Sequence, residues 1–136
     1  MTDPELVAKK LARVETSVRE LQTLARPEKI ESDIREQRFV EHTLQIAIQA
    51  SLDAASHVVS DDRLGEPSTY RDLFDLLEKA EYIPGELARE LEKMAGFRNV
   101  LVHGYDDVDL AIVRDIVENH LSDLLRFVEC VRNRLP

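Results

Sequence analysis

Apolar residues recur every three or four positions along almost the whole chain, and nowhere do they alternate in the period of two that marks a half-buried strand. This spacing predicts five helices. The first covers about Pro4 to Ala25, with Val7, Leu11, Val14, Val18, Leu21 and Ala25 on one stripe and Pro27 beyond its end. The second, from about Ser32 to Val59, is long: at about 1.5 Å per residue it spans roughly 40 Å. Val40, Leu44, Ala47, Ile48, Ala55, Val58 and Val59 lie along one side of it. Glu41, Gln45, Gln49 and Asp53 repeat at i, i+4 and form a polar seam. That seam reads either as a solvated face or as the wall of a pocket or partner contact.

Residues 60–68, with Asp61-Asp62, Gly65 and Pro67, read as a loop. Thr69 and Asp72 have the spacing of a capping box for a short third helix ending near Ala80. Pro84 suits the first turn of a fourth helix that runs to about His103, with Gly104 placed to end it. Asp109 can cap a fifth helix whose stripe is Val113, Val117, His120, Leu121, Leu124, Val128, Val131 and Leu135. The connections are short or moderate. The expected fold is all-α: an antiparallel up-and-down bundle of about five helices, with residues 1–136 as one domain.

Composition narrows the functional classes. An apolar fraction of 43% beside 33% charged residues fits a folded helical domain rather than a disordered chain. Trp is absent and aromatics are few, which argues against an aromatic platform for nucleic acid. The net charge of −9 argues against nucleic-acid binding over a broad surface, so any RNA contact should be local. One cysteine, Cys130, excludes an intramolecular disulfide and a Cys-rich metal site. The polar start, Met1-Thr2-Asp3-Pro4-Glu5, does not resemble a signal peptide, and no apolar run approaches the roughly 20 residues that cross a bilayer. A cytoplasmic location is the expectation.

The candidate chemistry lies in Phe97-Arg98-Asn99-Val100-Leu101-Val102-His103-Gly104-Tyr105. On an ideal helix Arg98 falls about 20° from Leu87, within the apolar stripe of Leu87, Leu91, Met94 and Leu101. A charge there must be paired, must snorkel, or must lie at an interface. His103 points about 140° away from Arg98 on the same wheel. Either the helix unwinds after Val102, or a site using both draws on two chains. Asn99 and His103 share a face. His103 near a helix C-terminus reads as a cap or as a proton-transfer group, and Tyr105 as a loop packing residue or a modifiable hydroxyl. His42, His57 and His120 have no matching partners in sequence, Tyr70 and Tyr82 read as packing residues, and Cys130 lacks a local base. No metal-ligand spacing, Gly-rich phosphate loop or supported Ser nucleophile is visible, so neither metal nor cofactor is expected.

Arg98-Asn99, three residues, His103, one residue and Tyr105 resembles the signature of HEPN-domain proteins of the HepT type. The similarity extends to Glu41-His42-Thr43-Leu44-Gln45, Ser56-His57-Val58-Val59, Gly65-Glu66-Pro67-Ser68-Thr69-Tyr70-Arg71 and Lys93-Met94-Ala95-Gly96-Phe97, and so covers nearly the whole chain. The resemblance implies a dimeric HEPN fold and a metal-independent endoribonuclease, the toxin of a toxin–antitoxin pair. It implies Arg98 and His103 as catalytic residues with Asn99 in support, in a composite site at the homodimer interface. It implies an MntA-type nucleotidyltransferase antitoxin that silences the toxin by transferring AMP to Tyr105. RNA is the implied substrate, with neither DNA nor a membrane among the partners. Two other readings stay open: a non-catalytic HEPN module that partners a nucleotidyltransferase or binds a nucleotide, and a structural helical dimer in which the motif only ends a helix.

Overall fold

The computed structural model describes residues 3–103 and 108–136, and all regular structure among them is helical. Helix α1 (Pro4–Leu24) starts where Asp3 accepts hydrogen bonds from the backbone N–H groups of Glu5 and Leu6 at 3.1 and 3.2 Å. Its predicted stripe, Val7 to Leu21, is buried. A single 3₁₀ turn (Pro27–Lys29) follows and delivers Ile30 into the core, a burial that no helical period announces.

Helix α2 (Ile34–Asp61) is the central element and packs against α1 and against every later helix introduced below. Its burial is wider than one stripe. Ala47, Ile48, Ala50, Ser51, Leu52, Ala54 and Ala55 are all buried, because alanine and serine let neighbouring backbones approach from several directions. Ser51 satisfies its hydroxyl by donating to the carbonyl of Ala47 at 3.0 Å.

Helix α3 (Tyr70–Lys79) opens with the predicted capping box: Thr69 Oγ1 accepts from the Asp72 N–H at 3.3 Å, and Asp72 Oδ2 accepts from the Thr69 N–H at 3.2 Å. Helix α4 (Gly85–His103) begins one residue after Pro84 and runs unbroken to His103. The expected fifth helix is divided. Helix α5 (Leu110–Asp115), capped by Asp109 as predicted, passes into a π-helical turn (Ile116–His120) and then α6 (Leu121–Arg132). The π turn inserts an irregularity that simple 3.6-residue counting does not register. In the centre, Phe74 of α3 meets Phe127 of α6 edge to face, with ring centroids 5.9 Å apart. No helix among the described residues is long and apolar enough to cross a membrane.

Two helices end on residues with positive φ that are not glycine, Arg63 (55°) after α2 and Glu81 (63°) after α3. Each closes a double-bonded C-terminal turn: Leu64 N–H reaches Val59 O at 3.0 Å, and Tyr82 N–H reaches Leu77 O at 2.9 Å. A side chain at such a position carries a steric cost that glycine lacks. Glu81→Gly is therefore expected to raise unfolding free energy by about 0.5–1 kcal/mol, read as a higher urea midpoint at unchanged slope.

Candidate active site

Arg98 is half-buried on α4 and its pairing is now explicit. Nε donates to Oε1 of Gln49 on α2 at 2.8 Å, and one terminal nitrogen donates to Asn99 Oδ1 at 3.1 Å. Its guanidinium carbon lies 5.4 Å from the centroid of the Tyr70 ring at the start of α3. Gln49 is itself fixed, donating from Nε2 to Asp53 Oδ1 at 2.9 Å, and Asp53 Oδ2 receives Lys10 Nζ of α1 at 3.3 Å. A hydrogen-bonded relay across three helices therefore sets the position of Arg98. Gln49 and Asp53 of the α2 polar seam belong to this relay. Glu41, Gln45, Gln49 and Asp53 are half-buried rather than a solvated face. Burial also pushes the Glu41 carboxyl above its usual range, against the pull of Arg38.

The partners of Arg98 among the described residues are all neutral: an amide, a second amide and an aromatic ring. Several other arginines are neutralised by carboxylates. Arg89 is bound by Asp75 (2.8 Å), Glu78 and Glu92 (3.1 Å), Arg126 by Glu86 (2.9 Å), and Arg132 by Glu15 (2.6 Å). Arg98 thus keeps an uncompensated charge in a chain of net charge −9. A cation held by neutral groups is suited to take up an anion from outside.

His103 is the last described residue of α4 and is exposed, and its side chain makes no hydrogen bond or ion pair among the described residues. Because α4 is continuous to His103, the helix does not unwind after Val102, and the angular separation of His103 from Arg98 stands. Asn99, one turn before His103, is exposed and is tied to Arg98. Tyr105 and Gly104 lie outside the described residues.

Tyr82 packs as expected, with Arg134 4.1 Å above its ring and its hydroxyl bonded to Asp62, but Tyr70 is not a packing residue. It is 38% exposed and backs the Arg98 guanidinium. His120 also departs from expectation. It is surrounded by carboxylates: Asp115 at 3.2 Å from Nε2, and Asp123 at 3.3 Å and Glu90 at 3.7 Å from Nδ1. Ligand atoms of Glu90, His120 and Asp123 lie within 4.8 Å of one another, so these three residues could hold a small cation. Asp123 stands at i+3 from His120, which is visible in sequence, whereas Glu90 arrives from α4 through the π turn.

Burial, and then the neighbouring Asp75, push the Glu92 carboxyl up to about 7 from an ordinary 4.5, against the attraction of Arg89. The folded chain then keeps a proton that the unfolded chain has released, so stability falls as pH rises from 4.5 to about 7. Glu92→Gln is expected to flatten that part of the curve, as measured by urea midpoints from pH 4.5 to 7.5.

Comparison with known proteins joins this geometry to a family. The profile of the ribonuclease HepT-like family matches residues 14–131. The chain belongs to the ribonuclease HepT-like family. It is 30% identical over 129 residues to an mRNA nuclease HepT of Shewanella oneidensis, covering 94% of this chain and 97% of that protein. It is 36% identical over 78 residues to a tRNA nuclease HepT of Aphanizomenon flos-aquae, covering 57% of this chain and 53% of that protein. A solved structure of a tri-AMPylated HEPN toxin of Shewanella oneidensis, in complex with an MNT antitoxin, superposes with a TM-score of 0.87 at 30% identity, covering 98% of this chain and all of the other. The all-helical HEPN fold expected of a HepT-like chain is the fold observed.

Proposed function

We propose that this chain is the ribonuclease toxin of a toxin–antitoxin pair, cutting RNA with Arg98 and His103 and silenced by AMP transfer to Tyr105. The observation that carries the reading is Arg98, fixed by Gln49, Asn99 and Tyr70 yet left without a counter-charge among them. A phosphodiester supplies that counter-charge. RNA also supplies its own nucleophile, so no metal has to activate water. The 2′-oxygen attacks phosphorus, its proton passes to a base, the bond to the 5′-oxygen breaks, and that oxygen takes a proton. The products are a 2′,3′-cyclic phosphate and a 5′-hydroxyl. Arg98 stabilises charge on the non-bridging oxygens, and the His103 imidazole acts as base or acid.

His103 and Arg98 diverge on one continuous helix, which supports a cleft shared between two copies related by a two-fold axis. There each copy contributes its own arginine and histidine, with Asn99 steadying the arginine. The antitoxin is a nucleotidyltransferase of MntA type. AMP on Tyr105 adds bulk and negative charge two residues from His103, which repels the RNA backbone and occludes the cleft. The tri-AMPylated toxin bound to its MNT antitoxin supports this mode of control.

Two measurements test the proposal. The purified chain should cut RNA in the presence of a chelator and leave cyclic phosphate ends. After co-expression with the antitoxin, its intact mass should rise by one or more AMP units that map to Tyr105. No RNA cleavage at stoichiometric protein, with a stable antitoxin complex, would favour the non-catalytic binding module. An unmodified Tyr105 beside an active transferase would remove the regulatory scheme.

A further inference from the structure

A cavity of about 430 Å³ opens beside Arg98, between α2, the start of α3 and α4. Ser56, Pro67, Ser68, Tyr70 and Asn99 form most of its wall. Two of these, Tyr70 and Asn99, are also among the partners that hold Arg98. The cavity therefore begins where the phosphate-binding cation ends, with one aromatic ring common to both.

The wall selects a class of ligand. It carries no charged side chain, so a second phosphate or a carboxylate finds no counter-charge in it. Pro67 and the Tyr70 ring give flat apolar surface. The hydroxyls of Ser56 and Ser68 make no hydrogen bond among the described residues. Asn99 uses its Oδ1 on Arg98, which leaves its Nδ2 to donate elsewhere. A neutral, planar ligand with hydrogen-bonding edges meets these conditions, and the volume falls within the about 300–1,000 Å³ usual for ligand sites. Resting on the ribonuclease reading, we propose that this cavity receives the nucleobase next to the phosphate held by Arg98, with Tyr70 as stacking platform and Asn99 as an edge donor. Unstacked bases of single-stranded RNA are read in this way, by an aromatic face and a few polar groups.

The test compares a short RNA oligonucleotide with versions lacking one base, on either side of the cut. In the wild-type protein, removing the flanking base is expected to lower kcat/KM by about 5–150-fold, the range for loss of one base stack. Tyr70→Ala should lose a similar factor on intact RNA and little more on the abasic strand, while Tyr70→Phe keeps the wild-type preference. Equal cleavage of intact RNA by Tyr70→Ala and wild type would overturn the proposal. So would an equal loss on intact and abasic RNA, because the ring would then act only through Arg98. A second readout separates this inference from the ribonuclease reading: binding of labelled intact and abasic strands to His103→Ala by fluorescence anisotropy. If the wild type cuts nothing but base-dependent binding through Tyr70 persists, the nuclease reading fails and the base site stands. If intact and abasic strands bind His103→Ala equally, the base site fails whatever the cleavage result.

Discussion

His103→Ala is expected to lower RNA cleavage by about 10²–10⁴-fold while leaving the fold intact. The side chain is exposed at the end of α4 and has no hydrogen bond or ion pair among the described residues, so its removal leaves no buried group unsatisfied. Arg98→Ala should cost about 10²–10³-fold, the effect of losing one donor aimed at developing negative charge. It should also lower stability slightly, since Gln49 Oε1 loses its donor. Arg98→Lys keeps the charge, but a lysine cannot bond Gln49 through an Nε–H and present a guanidinium fork at once, so only part of the rate should return. The double variant should fall little below the worse single one, because groups acting on one transition state are not additive. Single-turnover rates on a defined oligonucleotide read all of these. Growth arrest on expression without antitoxin should follow the same order. A His103→Ala protein as fast and as toxic as wild type would sink the catalytic assignment.

Phe127→Ala is expected to lower stability by about 3–5 kcal/mol. Phe127 is fully buried and meets the Phe74 ring edge to face near the meeting of α3 and α6. A domain of this kind has only about 5–15 kcal/mol in total, so the variant should unfold at a much lower urea concentration and should express poorly at growth temperature. Phe74→Ala and the double variant complete a cycle. The coupling between the rings should be about 0.5–1.5 kcal/mol beyond their separate burial, because the edge-to-face contact is lost only once.

Local rules carried most of the fold. The caps at Asp3, the Thr69–Asp72 box and Asp109, and the apolar stripes of α1, α4 and the α5–α6 stretch, act between residues a few positions apart. Such signals survive in sequence. What sequence could not show depends on distant partners. Gln49 meets Arg98 only because α2 and α4 pack together, and Tyr70 comes under Arg98 only because α3 begins there. The seam on α2 therefore allowed two readings until its neighbours were in place. His120 appeared unpartnered because Glu90 lies thirty residues before it and because the π turn breaks the 3.6-residue register. Ile30 is buried from a 3₁₀ turn, where no periodicity exists to mark it. Arg98 itself was legible, since a charge on an apolar stripe demands an explanation. Tyr105 was reached by resemblance and lies outside the described residues.

Arg98, with no counter-charge among its partners, also sets how binding should respond to salt. A broadly basic RNA-binding surface neutralises many phosphates and loses orders of magnitude in affinity as ions are added. With one or two phosphates neutralised, log K should fall by only about 0.7 per contact for each tenfold rise in salt on single-stranded RNA. From 50 to 200 mM salt that amounts to roughly a threefold to sevenfold loss. The remaining acidic surface of the chain repels flanking phosphates at low salt, and added ions relieve that repulsion. Selection among RNAs would then fall to strands already unpaired, because little electrostatic attraction is available to pull a duplex open.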